Sequence, residues 1–240
     1  IDALHREAEQ VAAQIAPLCA PLAEVMKLGR LRYHAAADKL ARSFQDAIAA
    51  QGWPAEGRLR AVDVFDRLVE PLRKAGQKVA IFWIDALRFD LAVPLEAALA
   101  ARHKTKLDLA CGQWPGITAV GMAALLPGAS ASFELTKEGD LIVPVVNGRR
   151  IDSAKARAEA LAAHIGKDRT KVLDLDAVAS GKLGDVEALE VLAVKTTDID
   201  SLGENNPDYF LHLIPDILRK IELAVHQLAD AGFQHAVIAT

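Results

Sequence analysis

The spacing of hydrophobic residues along this 240-residue chain changes near residue 77. Before that point, apolar residues recur every three or four positions, which is the period of a helix that buries one face. This pattern predicts one helix that is interrupted at Gly29, a second over residues 31–50 and a third over residues 58–75. We therefore predict a helical N-terminal segment, residues 1–76, that precedes a separate domain.

After residue 77, short apolar runs alternate with helical stretches. The runs predict core strands at residues 78–85, 106–112, 171–175, 189–200 and 235–240. The same reading predicts a hairpin over residues 131–146, a helix capped by Asp152 or Ser153 that ends near Ile165, and a long amphipathic helix over residues 208–231. Residues 77–240 are therefore expected to form an α/β domain with a mostly parallel sheet and helices on both faces.

Ligands of such sheets bind at the carboxyl ends of the strands, and Asp85 is placed at one of these ends. It directly follows the apolar run Val79–Ile84. The residue type and position fit two roles, a cap for the helix that follows or an oxygen ligand for a divalent cation. The pattern around Asp85 leaves both roles open.

Thr118 is predicted at the start of a short apolar helix, after the Gly- and Pro-containing loop at residues 112–117. The amide groups at a helix start favour an anion, so a hydroxyl there is well placed beside a phosphate. Activated by a metal ion, Thr118 would act as a nucleophile in phosphoryl transfer. A plain helix cap remains the alternative.

Three carboxylates, those of Asp198, Asp200 and Glu204, fall within seven residues after the apolar run at residues 189–194. Carboxylates this close repel one another unless water or a cation separates them. Asp200 and Glu204 are four residues apart and would share one face of a helical turn. The cluster therefore fits either a cation site or a solvated acidic loop.

Composition adds limits on function and location. The net charge of −4 argues against a protein that holds nucleic acid by broad electrostatic attraction, and it leaves open an enzyme that engages phosphates through bound metal. Cys19 and Cys111 are too few and too distant for a disulfide framework, which favours a cytoplasmic location. No signal peptide or membrane span is predicted. Because the chain begins at Ile1 and stops directly after an apolar run, we expect a piece of a longer protein.

Four short motifs, taken in order, resemble the alkaline phosphatase superfamily and in particular its PglZ branch, which belongs to BREX phage-defence systems. They are FWIDALRFD at residues 82–90, PGITAVGMAALLPG at 115–128, DIDSLGE at 198–204 and AVIAT at 236–240. The resemblance covers residues 78–240 and implies an alkaline phosphatase-like core.

The resemblance also implies roles for individual residues. It makes Asp85 a metal ligand, Thr118 the nucleophile and a metal contact, and Asp200 and Glu204 ligands of a second metal. Glu204 stands where the wider superfamily has His, which favours Mn²⁺ or Mg²⁺ over Zn²⁺. Further ligands are expected beyond residue 240. We therefore expect a core that is incomplete at its C-terminal end, two divalent ions in the full-length protein, and little or no activity in this piece.

The function that this resemblance implies is metal-dependent hydrolysis of a phosphomonoester or phosphodiester in defence against phage. The expected partners are a phosphate-containing substrate, with nucleic acid as one candidate, and other BREX proteins, with no membrane. Arg88 is a candidate contact for the phosphate, although a surface role fits equally. Asn205 is a candidate for orienting loops near the site, although a plain turn also fits.

Two other functions are compatible with the sequence. Asp174 and Asp176 lie in VLDLDAV, which matches the Asp-x-Asp signature of haloacid dehalogenase-type phosphatases. That signature opens its domain on the first core strand, whereas two predicted core strands precede it here. The other alternative is a non-catalytic scaffold, because the helical segment and the missing ligands allow this chain to act as an interaction module in a larger complex.

Overall fold

A computed structural model describes residues 2–15 and 20–240, and all of their side chains except those of Ala20, Pro207 and Asp208. Cys19 therefore lies outside the described residues. The helices are α1 (Asp2–Ile15), α2 (Ala20–Gln51), α3 (Glu70–Lys74), α4 (Phe89–Leu99), α5 (Thr118–Ala124), α6 (Ala129–Ser132), α7 (Ala154–Ile165), α8 (Leu175–Ala179), α9 (Asp198–Asn205) and α10 (Pro207–Asp230). The strands are β1 (Leu59–Arg60), β2 (Val79–Ile84), β3 (Ala110–Cys111), β4 (Glu134–Glu138), β5 (Leu141–Val146), β6 (Arg149–Arg150), β7 (Thr170–Asp174), β8 (Val191–Thr196) and β9 (His235–Ala239).

The main sheet has four parallel strands in the order β7-β8-β2-β9. β2 lies inside it and pairs along its length with β8, from Val79 opposite Val191 to Ile84 opposite Thr196. All six residues of β2 are buried, as expected for a central strand covered on both faces. The predicted α/β fold with a parallel sheet and flanking helices is confirmed.

The side chains of β2 alternate between two hydrophobic cores, one on each face of the sheet. Val79, Ile81 and Trp83 pack with α5, α7 and the segment 61–69, whereas Ala80, Phe82 and Ile84 pack with α4, α8 and α10. The period of two along a strand sends neighbouring side chains to opposite faces. One six-residue run therefore holds both layers of helices on the sheet.

The predicted hairpin is present as β4 and β5, which pair antiparallel and are extended by β6. Asn147 and Gly148 connect β5 to β6 with positive φ angles of 51° and 70°. Positive φ angles at both central residues are typical of a type I′ turn, whose twist matches that of the two antiparallel strands. Asn-Gly is the residue pair that tolerates these angles best.

Three local predictions were wrong. The predicted core strand at 106–112 is reduced to Ala110–Cys111, which pairs with Leu59–Arg60 in a small separate sheet. Leu107 and Leu109 are both exposed, so this stretch buries no apolar face that would hold it on the main sheet. The predicted break at Gly29 is absent, because a single glycine in a 32-residue helix costs only about 1 kcal/mol.

The third local error concerns residues 58–75, which were predicted as one helix. The chain instead forms β1, a 3₁₀ turn at Ala61–Asp63, a π-helical turn at Phe65–Val69 and then α3. Pro71 lies in the first turn of α3, where its missing N–H is tolerated, and it supplies no donor to continue an earlier helix. Residues 61–69 pack in the same core as β2, and the domain division at residue 76 stays a prediction.

Among the described residues, no helix is both long enough and apolar enough to cross a lipid bilayer.

A buried ion network ties α3 to the start of β8. Arg73 donates to both oxygens of Glu70 at 2.7 and 2.8 Å and to Glu190 at 2.8 Å, and Arg169 binds the other oxygen of Glu190. His164 Nε2 lies 3.4 Å from Glu70. The Arg73 hydrogen bonds outweigh burial and lower the pKa of Glu70 from 4.5 to about 2.

We predict that Glu70→Gln lowers stability at neutral pH and removes part of the acid sensitivity. A lowered pKa stabilises the fold above pH 4.5, and this contribution is lost as pH falls towards about 2. The upper bound is on the order of 3 kcal/mol. Urea unfolding at pH 7 and pH 3 measures it, with the exposed Glu159→Gln on α7 as control. An unchanged pH dependence in Glu70→Gln would contradict the prediction.

Candidate active site

Strand β2 delivers Asp85 to the carboxyl edge of the sheet. The Asp85 amide donates to the Thr196 carbonyl at 3.1 Å, which extends the pairing with β8 by one residue. Ala86 then adopts a positive φ of 58°, a strained angle for alanine that turns the chain away from the sheet. The N-cap of α4 is Arg88, so Asp85 is not a helix cap.

The Asp85 carboxylate is buried and incompletely bonded. The residue is 7% exposed, and its Oδ2 atom has no hydrogen-bond partner in the part of the chain that the structure describes. Burial is the largest effect and raises the pKa of Asp85; a hydrogen bond from the Thr118 hydroxyl opposes this rise, and the charge of Asp200 adds to it. A buried carboxylate oxygen without a donor is an acceptor available to a cation or a proton.

Thr118 is the first residue of α5, and its side chain is not used as a cap. The N-cap position is Ile117. The apolar face of α5, with Met122 and Ala123 buried, fixes the helix against the same core as Trp83. Thr118 itself is exposed, lines the same cavity as Asp85 and lies close enough to lower the pKa of that carboxyl. Asp85 and Thr118, both predicted as site residues, therefore lie beside each other at this cavity.

A cavity of about 220 Å³ opens beside this pair. Its lining residues are Trp83, Asp85, Thr118, Met122, Ala154, Arg157, Asp174, Leu175, Asp176, Lys195, Thr196, Thr197 and Asp198. Trp83 lies two residues before Asp85 and so on the same face of β2, and its indole Nε1 is buried without an acceptor among the described residues. The residues of the cavity wall thus include one hydrogen-bond acceptor, Asp85 Oδ2, and one donor, Trp83 Nε1, that have no partner among the described residues.

Arg157 on α7 contributes a cation to this cavity. It is half-buried, and no carboxylate among the described residues lies within 4 Å of its guanidinium. Burial lowers the pKa of Arg157, whereas the charge of Asp85 raises it. A half-buried guanidinium without a carboxylate partner is a strong donor available to an anion.

Arg157 was not among the site residues predicted from the sequence, although its position in the helical pattern of α7 could have indicated it. Leu161 and Ile165 follow it at intervals of four and are fully buried. Arg157 therefore lies on the apolar face of α7, where a charged side chain is unusual.

The other carboxylates of the cavity wall are already paired with lysines. Lys195 binds Asp174, and Lys220 lies 2.7 Å from Asp176 and 3.0 Å from Asp198. Asp174 ends β7, which is an edge strand of the sheet. The haloacid dehalogenase-type signature opens its domain on the first core strand, whereas β7 follows β2 along the chain and lies at the edge of the sheet.

The remaining predicted site residues lie outside the cavity wall. Asp200 is close enough for its charge to raise the pKa of Asp85, whereas Glu204 is exposed at the end of α9. Arg88 forms a two-point ion pair with Asp90 at 2.9 Å, and Asn205 donates to the Ser201 carbonyl. Within residues 2–15 and 20–240, no three His, Cys, Asp or Glu side chains converge on one point in a way that would hold a metal. The roles of these four residues stay predictions.

Comparison with known proteins bears on this arrangement. The chain matches the family described as BREX system PglZ alkaline phosphatase-like domain over residues 64–209, which is more than half of its length. It is also similar to the alkaline phosphatase-like protein PglZ of Bacillus cereus (strain H3081.97), with 27% identity over 84% of this chain. The match spans 24% of the length of that relative.

We predict that Asp85→Asn stabilises the metal-free protein at pH 7. Because burial raises the pKa of Asp85, its charged form opposes folding above that pKa, and the penalty shrinks as pH falls. Removing the charge should raise Tm in chelator, by about 2–4 °C per kcal/mol gained, and the gain should shrink at acidic pH.

Thermal unfolding in chelator checks this, with Asp140→Asn at the exposed hairpin turn as control. A lower Tm for Asp85→Asn than for the parent at pH 7 would show that the carboxylate stabilises the fold.

Proposed function

Because this chain belongs to the BREX PglZ alkaline phosphatase-like domain family, we propose that the cavity beside Asp85 is a metal-dependent phosphohydrolase site. The observation that carries the proposal is the meeting of three groups in one cavity: the buried carboxylate of Asp85, the Thr118 hydroxyl beside it and the Arg157 guanidinium. Among the described residues, Asp85 Oδ2 has no hydrogen-bond partner and Arg157 has no carboxylate partner. The three groups suit a cation, a nucleophile and a phosphate, respectively.

The donor set fits a hard divalent ion. The free Oδ2 of Asp85 is an anionic oxygen at the strand end, which suits Mg²⁺ or Mn²⁺ better than a softer ion, and Zn²⁺ remains a candidate. We assign Asp85, with the Thr118 hydroxyl beside it, to one ion, and Asp200 with Glu204 to a second ion in the full-length protein. Such an ion, when bound, lowers the pKa of a coordinated hydroxyl and polarises a phosphoryl oxygen.

Thr118 is the proposed nucleophile. Thr118 lines the cavity beside Asp85, and the packing of α5 holds the residue in place. Attack of its hydroxyl oxygen on phosphorus would form a Thr118–phosphoryl bond with loss of the hydroxyl proton, and it would break the bond to the leaving alkoxide, which takes up a proton. Water would then hydrolyse the Thr118–phosphoryl bond and restore the hydroxyl, which releases phosphate from a phosphomonoester or a phosphomonoester from a phosphodiester.

Arg157 and Trp83 are proposed to hold the phosphoryl oxygens. Arg157 supplies a charged donor without a competing carboxylate, and Trp83 supplies an indole N–H that lacks an acceptor. Both line the same cavity wall as Thr118. Charged hydrogen bonds of this kind position a phosphate and stabilise the charge that it gains during transfer. Arg88 and Asn205 are kept as candidate contacts at the rim.

The family membership extends the proposal to the biological setting. We propose that the domain acts in BREX defence against phage, in the cytoplasm, together with other BREX proteins. The substrate is a phosphomonoester or phosphodiester, with nucleic acid as one candidate. The fold and the cavity do not distinguish between these esters, so the experiment includes both.

We predict that Thr118→Ala and Asp85→Ala each abolish hydrolysis by the full-length protein. The substrates are p-nitrophenyl phosphate and bis-p-nitrophenyl phosphate, each assayed with Mn²⁺, Mg²⁺ and Zn²⁺. Loss of the nucleophile should lower kcat on the order of 10³-fold or more, and Thr118→Ser should retain activity.

Full activity in both alanine variants would overturn the proposed site. Absence of hydrolysis with every metal and both esters would instead support the non-catalytic scaffold.

We predict that Arg157→Gln weakens phosphate binding more than it impairs folding. Loss of a charged hydrogen bond should raise KM and the inhibition constant of inorganic phosphate by about 10–100-fold. Lys155→Gln, which is exposed on the same helix, is the matched control. Equal inhibition constants for phosphate in the parent and Arg157→Gln would exclude the phosphate role of this residue.

A further inference from the structure

Two histidines meet at the end of the sheet opposite to the Asp85 cavity. His103 follows α4, and His226 lies in the last turns of α10; both helices pack on the same face of the sheet. His103 lines a second cavity, of about 430 Å³, together with Gln234–Ala236 at the start of β9. Asp85 lies at the carboxyl ends of the strands, so the two places are separated by the length of the sheet.

The ring nitrogens of the two histidines point at each other. His103 Nε2 lies 2.7 Å from His226 Nδ1, and the ring planes are tilted by 31°. Glu222, one turn before His226 on α10, places Oε1 3.4 Å from the other ring nitrogen, Nε2. A carboxylate on one nitrogen of a histidine fixes its tautomer and directs the lone pair of the other nitrogen, here towards His103.

We propose that His103 and His226 form a binding site for a divalent transition-metal ion that prefers imidazole, such as Zn²⁺, Ni²⁺ or Cu²⁺. Two metal–nitrogen bonds of about 2.0–2.1 Å at a tetrahedral angle separate the nitrogens by about 3.3 Å. The rings need to move apart by only about 0.6 Å from their 2.7 Å separation. His103 then carries its proton on Nδ1, and Nε2 is free to bind the ion.

The surroundings suit a two-histidine site with water completing the coordination. Glu96, which lines the same cavity as His103, accepts a hydrogen bond from the Thr105 hydroxyl. The adjacent cavity gives solvent access to the open coordination positions.

Such a site would differ from the Asp85 cavity in the metal ion that it prefers and in the effect that this ion has on the protein. Imidazole ligands favour Zn²⁺, Ni²⁺ and Cu²⁺ over Mg²⁺, whereas Asp85 offers oxygen. The ion would connect His103, just after α4, to His226 near the end of α10, and these two residues lie 123 residues apart in sequence. Because the ion binds the folded arrangement, it should stabilise the domain without taking part in hydrolysis.

The test is Zn²⁺ titration of the metal-free Asp85→Asn protein, which lacks the carboxylate ligand of the other cavity. We expect one calorimetric binding event and a rise in Tm with Zn²⁺, and neither with Mg²⁺. Both should vanish in His103→Gln and in His226→Gln, which keep side chains able to form hydrogen bonds. Glu222→Gln should weaken binding about tenfold through loss of orientation.

His212→Gln is the control, because His212 is exposed on the same helix. Co²⁺ absorption spectra of parent and variants report imidazole coordination directly, even if one variant folds poorly. The proposal is overturned if Zn²⁺ binding and the Tm rise persist in the double variant His103→Gln/His226→Gln. It is also overturned if the folded Asp85→Asn protein binds no Zn²⁺, in which case the pair is an ordinary hydrogen bond.

Discussion

The complete burial of strand β2 is the constraint on which the other features depend. Its six side chains fill two cores, and each large apolar side chain buried there contributes about 1.5–3 kcal/mol. A one-residue shift of β2 would exchange the side chains that face the two cores, so its register against β8 and β9 is strongly specified. That register also fixes the position of Asp85, the residue directly after the strand.

The stability of this sheet offsets unfavourable groups at its carboxyl edge. Ala86 has a left-handed backbone angle, and Asp85 and Trp83 each bury a polar atom without a partner among the described residues. Features of this kind cost on the order of 1–3 kcal/mol each, against a typical net stability of 5–15 kcal/mol. Two of the three buried polar atoms that lack a partner among the described residues, those of Asp85 and Trp83, belong to residues of one cavity wall, and the third, Thr170 Oγ1, lies at the start of β7. Two such atoms beside one cavity are the pattern expected where a ligand supplies the missing partners.

The core strands that consist of continuous apolar runs could be predicted from the sequence. The runs that became β2, β8 and β9 were recognised, the strand-end rule placed Asp85 at the edge of the sheet, and Thr118 was recognised as the start of a short helix. Residues 106–112 were mistaken for a core strand because a short alternating run does not reveal whether a sheet edge will receive it. Arg157 was missed because its role depends on the tertiary contact between α7 and the strand ends, for which periodicity supplies only the apolar face.

The charges around the Asp85 cavity explain why a cation and a phosphate would bind there together. Four carboxylates line the wall, and three cations, Arg157, Lys195 and Lys220, lie among them. The lysines are bound to Asp174, Asp176 and Asp198, so the unpaired groups are one carboxylate and one guanidinium. With a formal excess of one negative charge, this set of side chains opposes a phosphate anion despite Arg157. Under the proposed function, Asp85 would hold a divalent ion that would reverse the sign of that excess, and Arg157 would then direct the phosphate towards Thr118.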